Sequence, residues 1–381
     1  MNNKYITQTD IYKERDDFTH FAVSKVKTYK ECSEMYKLKY VDKLGVYKSS
    51  TSTVMGTLLH SALEYLYGED DDTVETAEDA FYRVVVPTLK DLGIHDAEAI
   101  LGDLLDYNQD IAQLYERASE DYEGSDAIRT KAGKVPKTPE MTGVWKDECR
   151  RMNLNGRKER IDQVIQDSKT GLEEVSITDV FAKAHSLARQ YFTPPEIHEI
   201  LYLELPITRW DYNEKVLYNA IEFPGCDYPD VYLNGYIDLV CKLNVNGKIV
   251  NAVVDYKTSK EEFTESIVEH NQQLLVYAKA AEILLGEPIE YIGILSFLQK
   301  KLVYVPVNQE LQEEIFINYN KVIHNTFENN FIKHVPDTKY SPCLSSFGSH
   351  CPFLEHCWPK AYDQIMAKEF DEDFDYSKYL N

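Results

Sequence analysis

Two aspartates and a lysine are the first residues whose placement could do chemistry. In Val231-Tyr-Leu-Asn-Gly-Tyr-Ile-Asp-Leu-Val-Cys241, Val231, Leu233, Gly235, Ile237, Leu239 and Cys241 form one alternating apolar face. Asp238 falls on the opposite face with Asn234 and Tyr236. In Val253-Val254-Asp255-Tyr256-Lys257, Asp255 and Lys257 are two residues apart and share a face with Val253. The turn Asn244-Val245-Asn246-Gly247 between the two runs predicts an antiparallel hairpin, with the aspartates on adjacent strands. Hard oxygen donors so placed suit Mg²⁺ or Mn²⁺ and can position an activated water. The lysine adds a point charge beside a phosphate, or helps deprotonate that water. Taken alone, Asp-x-Lys is equally the pattern of an exposed strand salt bridge.

Two helical patterns add to this. Gly56-x-x-x-His60-x-x-x-Glu64 places three residues on one helical face. Histidine is a common metal ligand, and a glycine there would let another element approach closely. Gln273 and Tyr277 share one face of an apolar helix, which is also the pattern of an ordinary amphipathic edge. Of the seven cysteines, three (Cys343, Cys351 and Cys357) fall within 15 residues, which asks for a metal reading. An odd cysteine count argues against a disulfide framework. Thiolates suit zinc and iron–sulfur clusters alike, with His350 and His356 available to a zinc site. Cys149, Cys226 and Cys241 read as small hydrophobes.

These residues need elements to position them. The pattern predicts a helix over 18–40 opening near Ser24, and a second over 51–68. Acidic residues 69–72 with Glu75, Glu78 and Asp79 then cap a third helix, and helical periodicity runs to about Tyr122. A loop covers Gly124 to Gly143. Residues 198–257 are β-rich, followed by a helix over 267–285, strands at 289–298 and 301–307, and a helix over 309–328. The expected organisation is N-terminal helices (1–68), a mainly helical insertion (69–195), a core (196–335), a cysteine segment (336–365) and an acidic tail (366–381). The fold class is α/β with a helical N-terminal extension.

Charge limits the function. With 64 acidic and 41 basic residues the chain carries −23, where a non-specific nucleic-acid binder is normally basic. A nucleic-acid role must rest on local patches and a metal site. One such patch is 129–160, with ten Lys/Arg against four Asp/Glu. No run of 18 apolar residues occurs and the N-terminus is polar, so no membrane span or signal is expected and the default compartment is the cytoplasm. The tail carries Phe370, Phe374, Tyr376 and Tyr379 among acids, as a solvated end or a protein-docking segment would.

Gly56-x-x-x-His60-x-x-x-Glu64, Gly235-Tyr236-Ile237-Asp238, Asp255-Tyr256-Lys257 and Gln273-x-x-x-Tyr277 together resemble, in order, the motifs of RecB-like nucleases of the PD-(D/E)XK superfamily. Residues 24–32, ending at Cys32, resemble that family's cysteine-bearing N-terminal helix. Residues 343–357 resemble its three-cysteine end. The resemblance spans about 20–360 and leaves 69–195 unmatched. It implies a restriction-endonuclease-like core, a mixed central sheet flanked by helices. It also implies a metal-dependent exonuclease of single-stranded DNA or DNA ends, in recombination, repair or phage DNA processing. His60, Asp238 and Asp255 would bind Mg²⁺ or Mn²⁺, with the Tyr256 carbonyl a further ligand. Lys257 would be catalytic, Gln273 and Tyr277 would support the site or touch the DNA backbone, and Glu64 would orient neighbours. Cys32, Cys343, Cys351 and Cys357 would hold a [4Fe–4S] cluster, structural Zn²⁺ being the alternative. The sequence departs from the family in the seven residues between Cys343 and Cys351, where two are usual. Other expectations within this frame are a CRISPR-associated DNA-trimming nuclease, against which the long 69–195 segment counts, and a non-catalytic DNA- or protein-binding module.

Overall fold

Asn246 and Gly247 both adopt positive φ, 53° and 87°. This is the mirror-image two-residue turn whose twist suits a hairpin. It pairs β6 (Tyr236–Val245) with β7 (Lys248–Lys257) in antiparallel register, Leu239 opposite Val254. The computed structural model describes residues 19–44, 51–68, 74–94, 96–105, 177–211, 216–259, 261–334 and 351–359, together with 109, 156–159, 161, 163, 343 and 362. Cys149, the acidic tail, the 124–143 loop and all of the basic stretch except 156–159 lie outside the described residues.

The hairpin forms the middle of a five-stranded sheet, in the order β2 (Ile197–Pro206), β6, β7, β8 (Tyr291–Ser296), β9 (Lys301–Pro306). Only β7–β8 is parallel, so the sheet is mixed. Helices cover both faces. One core takes α3 (Thr51–Gly68), α4 (Ala77–Asp91) and α5 (Ile177–Arg189). The other takes α1 (Val23–Glu31), α7 (Gln272–Leu285) and α8 (Gln309–Phe327). Along β7, Ala252, Val254 and Tyr256 enter the first core and Val253 the second. Burial on both sides makes the central strands nearly continuous apolar runs, so the one-sided alternation expected of β6 gives way to residues 237–241 all being buried. Among the described residues, no helix is long and apolar enough to cross a membrane.

Several predicted elements are divided in the structure. The helix expected over 18–40 is a strand, β1 (Thr19–Phe21), then α1 with Ala22 rather than Ser24 at its N-cap. Extended backbone at Cys32 ends α1, and α2 (Ser33–Tyr36) runs on into a π-turn at Lys37–Val41. The run from Val231 to Cys241 breaks at Asn234-Gly235, because β5 (Val231–Leu233) leaves the main sheet to pair with β1. Short strands β3 (Arg209–Asp211) and β4 (Val216–Tyr218) form a separate ribbon. The helix expected over 267–285 splits into α6 (Glu265–Glu269) and α7, since the Asn271 side chain accepts the Leu274 N–H at 3.1 Å and starts a new helix. Acidic capping before the third helix is realised by Thr76 and Asp79, which form a reciprocal capping box.

The two ends of the described chain meet. Ser33 Oγ accepts the Ile332 N–H at 2.7 Å, and Tyr29 OH donates to the Asn330 carbonyl. This contact carries Cys32 toward the C-terminal segment, where α9 (Leu354–Cys357) lies.

Candidate active site

Asp238 and Asp255 stand one step beyond the paired Leu239 and Val254, so they face each other across the hairpin. Both are buried, at 9% and 3% exposure. Asp238 Oδ2 accepts the Tyr256 N–H at 2.9 Å, which fixes that carboxylate against the neighbouring strand. From α3, His60 reaches over the end of the sheet with Nε2 3.9 Å from Asp238 Oδ2. Its ring stands edge-on to Tyr256, centroids 5.7 Å apart. Lys257 Nζ lies 2.6 Å from Asp255 Oδ2. That contact is an ion pair with the inward oxygen of a buried carboxylate. Gln273 Nε2 on α7 donates a long bond, 3.4 Å, to the other oxygen of Asp255.

One further carboxylate completes the group. Glu204 Oε1 lies 2.7 Å from His60 Nδ1. The geometry has Nδ1 donating to the Glu204 carboxylate while Nε2 faces Asp238. This carboxylate–histidine pairing is the one that orients imidazole ligands in metal sites. Glu204 sits in a left-handed backbone conformation, φ 46°, in the strand where the β2–β6 register shifts. Ligand atoms of His60, Glu204 and Asp238 all lie within 4.8 Å of one another, and no other such group exists among the described residues.

The electrostatics are strained. Burial, then repulsion from Asp255, pushes Asp238 up to about 7. Burial also raises Asp255, against the opposing pull of Lys257. Burial alone would lower His60, but the Glu204 hydrogen bond and the charges of Asp238, Glu204 and Asp255 lift it to about 9. Carboxylates crowded out of water in this way favour a cation between them. The donor set, imidazole nitrogen with carboxylate oxygen, fits a divalent ion of the Mg²⁺ or Mn²⁺ kind.

Of the residues singled out from sequence, His60, Asp238, Asp255, Tyr256, Lys257, Gln273 and Tyr277 come together. Tyr277 is held against Gly235, where a Cβ would stand 2.8 Å from its hydroxyl. This is the close approach that a glycine permits. At Gly56, by contrast, no described residue lies within 4 Å of where its Cβ would be. Glu64, one turn beyond His60, lines an adjoining cavity and is not in the His60–Glu204–Asp238 group. Glu204 was not singled out. Its only sequence signal is a lone carboxylate in the apolar run Ile200-Leu-Tyr-Leu-Glu-Leu205, and left-handed backbone leaves no mark at a non-glycine position.

Where the described N- and C-terminal segments meet, Cys32 Sγ accepts the Met35 N–H at 3.4 Å, and Cys351 Sγ lies 4.0 Å from Met35 Sδ. Cys351 N–H donates to the Cys343 carbonyl at 3.0 Å. Cys343 packs with Leu354 and Trp358, with Cys351 and Cys357 beside them. Burial, then Cys351, pushes Cys357 up to about 12. No three of these sulfurs lie within 4.8 Å of one another. Cys241 is fully buried in the sheet, as a small hydrophobe would be.

A family model described as the PD-(D/E)XK nuclease superfamily matches residues 20–358. No curated protein matches the chain.

Proposed function

Because this chain belongs to the PD-(D/E)XK nuclease superfamily, we propose that it is a metal-dependent DNA exonuclease acting on single-stranded DNA or DNA ends. The observation that carries this reading is the buried, mutually repelling pair Asp238–Asp255, flanked by His60 and Lys257. His60, Asp238 and Asp255 would hold Mg²⁺ or Mn²⁺, with the Tyr256 carbonyl a further ligand. When bound, such an ion supplies Lewis acidity at the scissile phosphate and acidifies water. Glu204 holds the His60 ring so that Nε2 points into the site. Lys257 offers its ammonium to the phosphate oxygen that gains charge. Gln273 steadies Asp255, and Tyr277, wedged on Gly235, fixes the strand that carries Asp238. A single site in a fold whose ends are tied together suits a threaded strand end better than symmetric duplex cutting.

Cys32, Cys343, Cys351 and Cys357 are proposed to hold a [4Fe–4S] cluster. The resemblance carries that choice over structural Zn²⁺, since thiolates suit both. Joining residue 32 to residue 351 closes a very long loop and removes entropy from the unfolded chain. Processing of DNA in recombination, repair or phage replication is the setting we propose, with the acidic tail available to a protein partner.

The test is hydrolysis of end-labelled single-stranded and duplex DNA by anaerobically purified protein, with Mn²⁺ or Mg²⁺ against EDTA and Lys257→Ala alongside. Metal-dependent shortening from an end, absent in the variant, is expected. No cleavage by folded, metal-loaded protein would overturn the reading.

A further inference from the structure

Beside the metal-binding residues, and not part of them, is a cavity of about 410 Å³, within the range of small-molecule sites. We propose that it receives one unstacked nucleobase of the bound strand and favours bases that carry an exocyclic amine. The proposal rests on the nuclease reading above and deepens it.

Position is the first argument. The cavity and the metal group share two elements. On α3, Ser61, Glu64 and Tyr65 follow His60; on β2, Tyr202 and Leu203 precede Glu204. One helical turn, about 5.4 Å, separates His60 from Glu64. That is the order of one nucleotide's advance along an extended strand, so a phosphate at the metal residues brings a neighbouring base to the cavity mouth.

Chemistry is the second. Tyr65 and Tyr67 provide aromatic surface on the α3 side, and bases stack on such rings whatever their sequence. Tyr67 is held in place beforehand: its hydroxyl meets Tyr191 OH at 3.0 Å and Thr193 Oγ1 at 2.7 Å. Among the described residues, the polar lining consists of the carboxylates of Glu64 and Asp91 with the hydroxyls of Ser61 and Thr88, and includes no lysine or arginine. A phosphate is therefore repelled, while a neutral ring bearing N–H donors is matched. Adenine, cytosine and guanine offer an amine to a carboxylate, and thymine does not. The third argument is Pro87. It stands inside α4 at the cavity wall, where a helix normally excludes proline because it cannot donate to the carbonyl four residues back.

The experiment uses the full chain with Mn²⁺ and oligonucleotides carrying one abasic residue at successive positions. Bis(4-nitrophenyl) phosphate, a diester without a base, is the control. Wild type should lose about five- to hundredfold in kcat/KM when the abasic residue falls at one particular position from the cut bond, the usual worth of one stacked base. Pro87→Trp restores a backbone donor to α4 and places an indole at the cavity wall. It should lose a similar factor on ordinary DNA, show no abasic penalty, and hydrolyse the small diester like wild type. Asp91→Asn should narrow the preference for amine-bearing bases over thymine at that position. An abasic scan with no positional penalty, or Pro87→Trp cutting DNA as wild type does, overturns the proposal. If wild type cleaves neither DNA nor the diester, the nuclease reading falls and binding decides. A fluorescence change of 2-aminopurine DNA on wild type but not on Pro87→Trp supports the cavity, and equal responses overturn it.

Discussion

Asp238→Asn should abolish metal-dependent cleavage and, in metal-free protein at pH 8, make the fold more stable. Asparagine keeps the shape and an oxygen to accept the Tyr256 N–H, so the 2.9 Å bond survives. What is lost is a buried charge. A carboxyl held at about 7 instead of 3.8 costs the folded state about 4 kcal/mol above pH 7. Part of that cost is repulsion shared with Asp255, so one substitution should recover about 2–4 kcal/mol. The sign follows from linkage: the folded carboxyl binds its proton more tightly than the unfolded one. The penalty is absent below the unfolded value, grows between 3.8 and about 7, and is complete above it. Urea unfolding in EDTA at pH 8 and pH 5 measures this directly. The variant should gain at pH 8, gain less at pH 5, and show a melting temperature a few degrees above wild type in EDTA. Adding Mn²⁺ should raise the wild type and leave the variant unmoved. A variant less stable than wild type at pH 8 without metal would refute the argument that the carboxylates are strained by burial and each other.

Lys257→Ala should lower kcat by about 10²–10⁴-fold while the Mn²⁺-induced rise in melting temperature persists, which fluorimetry and a turnover assay separate. Mn²⁺ binding must displace the proton that His60, lifted to about 9, still carries at pH 8, so calorimetry in two buffers should show proton release there, with affinity falling as pH drops. Glu204→Gln should weaken Mn²⁺ affinity by about 10–100-fold and reduce that release at pH 8, because the strongest contact raising His60 is then weakened. Gly235→Ala puts a methyl 2.8 Å from Tyr277 OH; activity should drop at least about tenfold and the loss of native packing should appear in near-ultraviolet dichroism. Cys351→Ser should lower bound iron and reduce the unfolding midpoint in urea, without changing the chemistry of whatever folded fraction remains.

The sequence makes one class of feature legible and hides another. Hairpin, helix boundaries at 51–68 and 309–327, and the Asp238–Asp255–Lys257 face follow from local rules: period two, period 3.6, and a turn that needs Asn-Gly. Breaks set by distant partners are hidden. Asn234-Gly235 reads as the middle of one strand, yet β5 pairs with β1 some two hundred residues earlier, and Gly235 is kept small by Tyr277 from a helix not yet formed in sequence order. Glu204 is hidden for the same reason. It gains meaning only when α3 lays His60 against it, 144 residues away. Gly56 shows the converse, a suggestive residue type with no close neighbour among the described residues.

The placement of the charges follows from the two-sided core. A strand buried on both faces has no solvent side on which to leave a carboxylate. Asp255 and Asp238 therefore sit where each is desolvated, at the strand ends between the Tyr256 core and the α7 core. A chain carrying −23 has ample water-exposed positions for acid, so solubility does not account for these two. An apolar residue at either position would fit the run and remove the strain. Their presence side by side, with Glu204 aimed at His60, is accounted for by the cation that we propose sits among them during the protein's work. That proposed cation is what would tie the fold to phosphodiester chemistry.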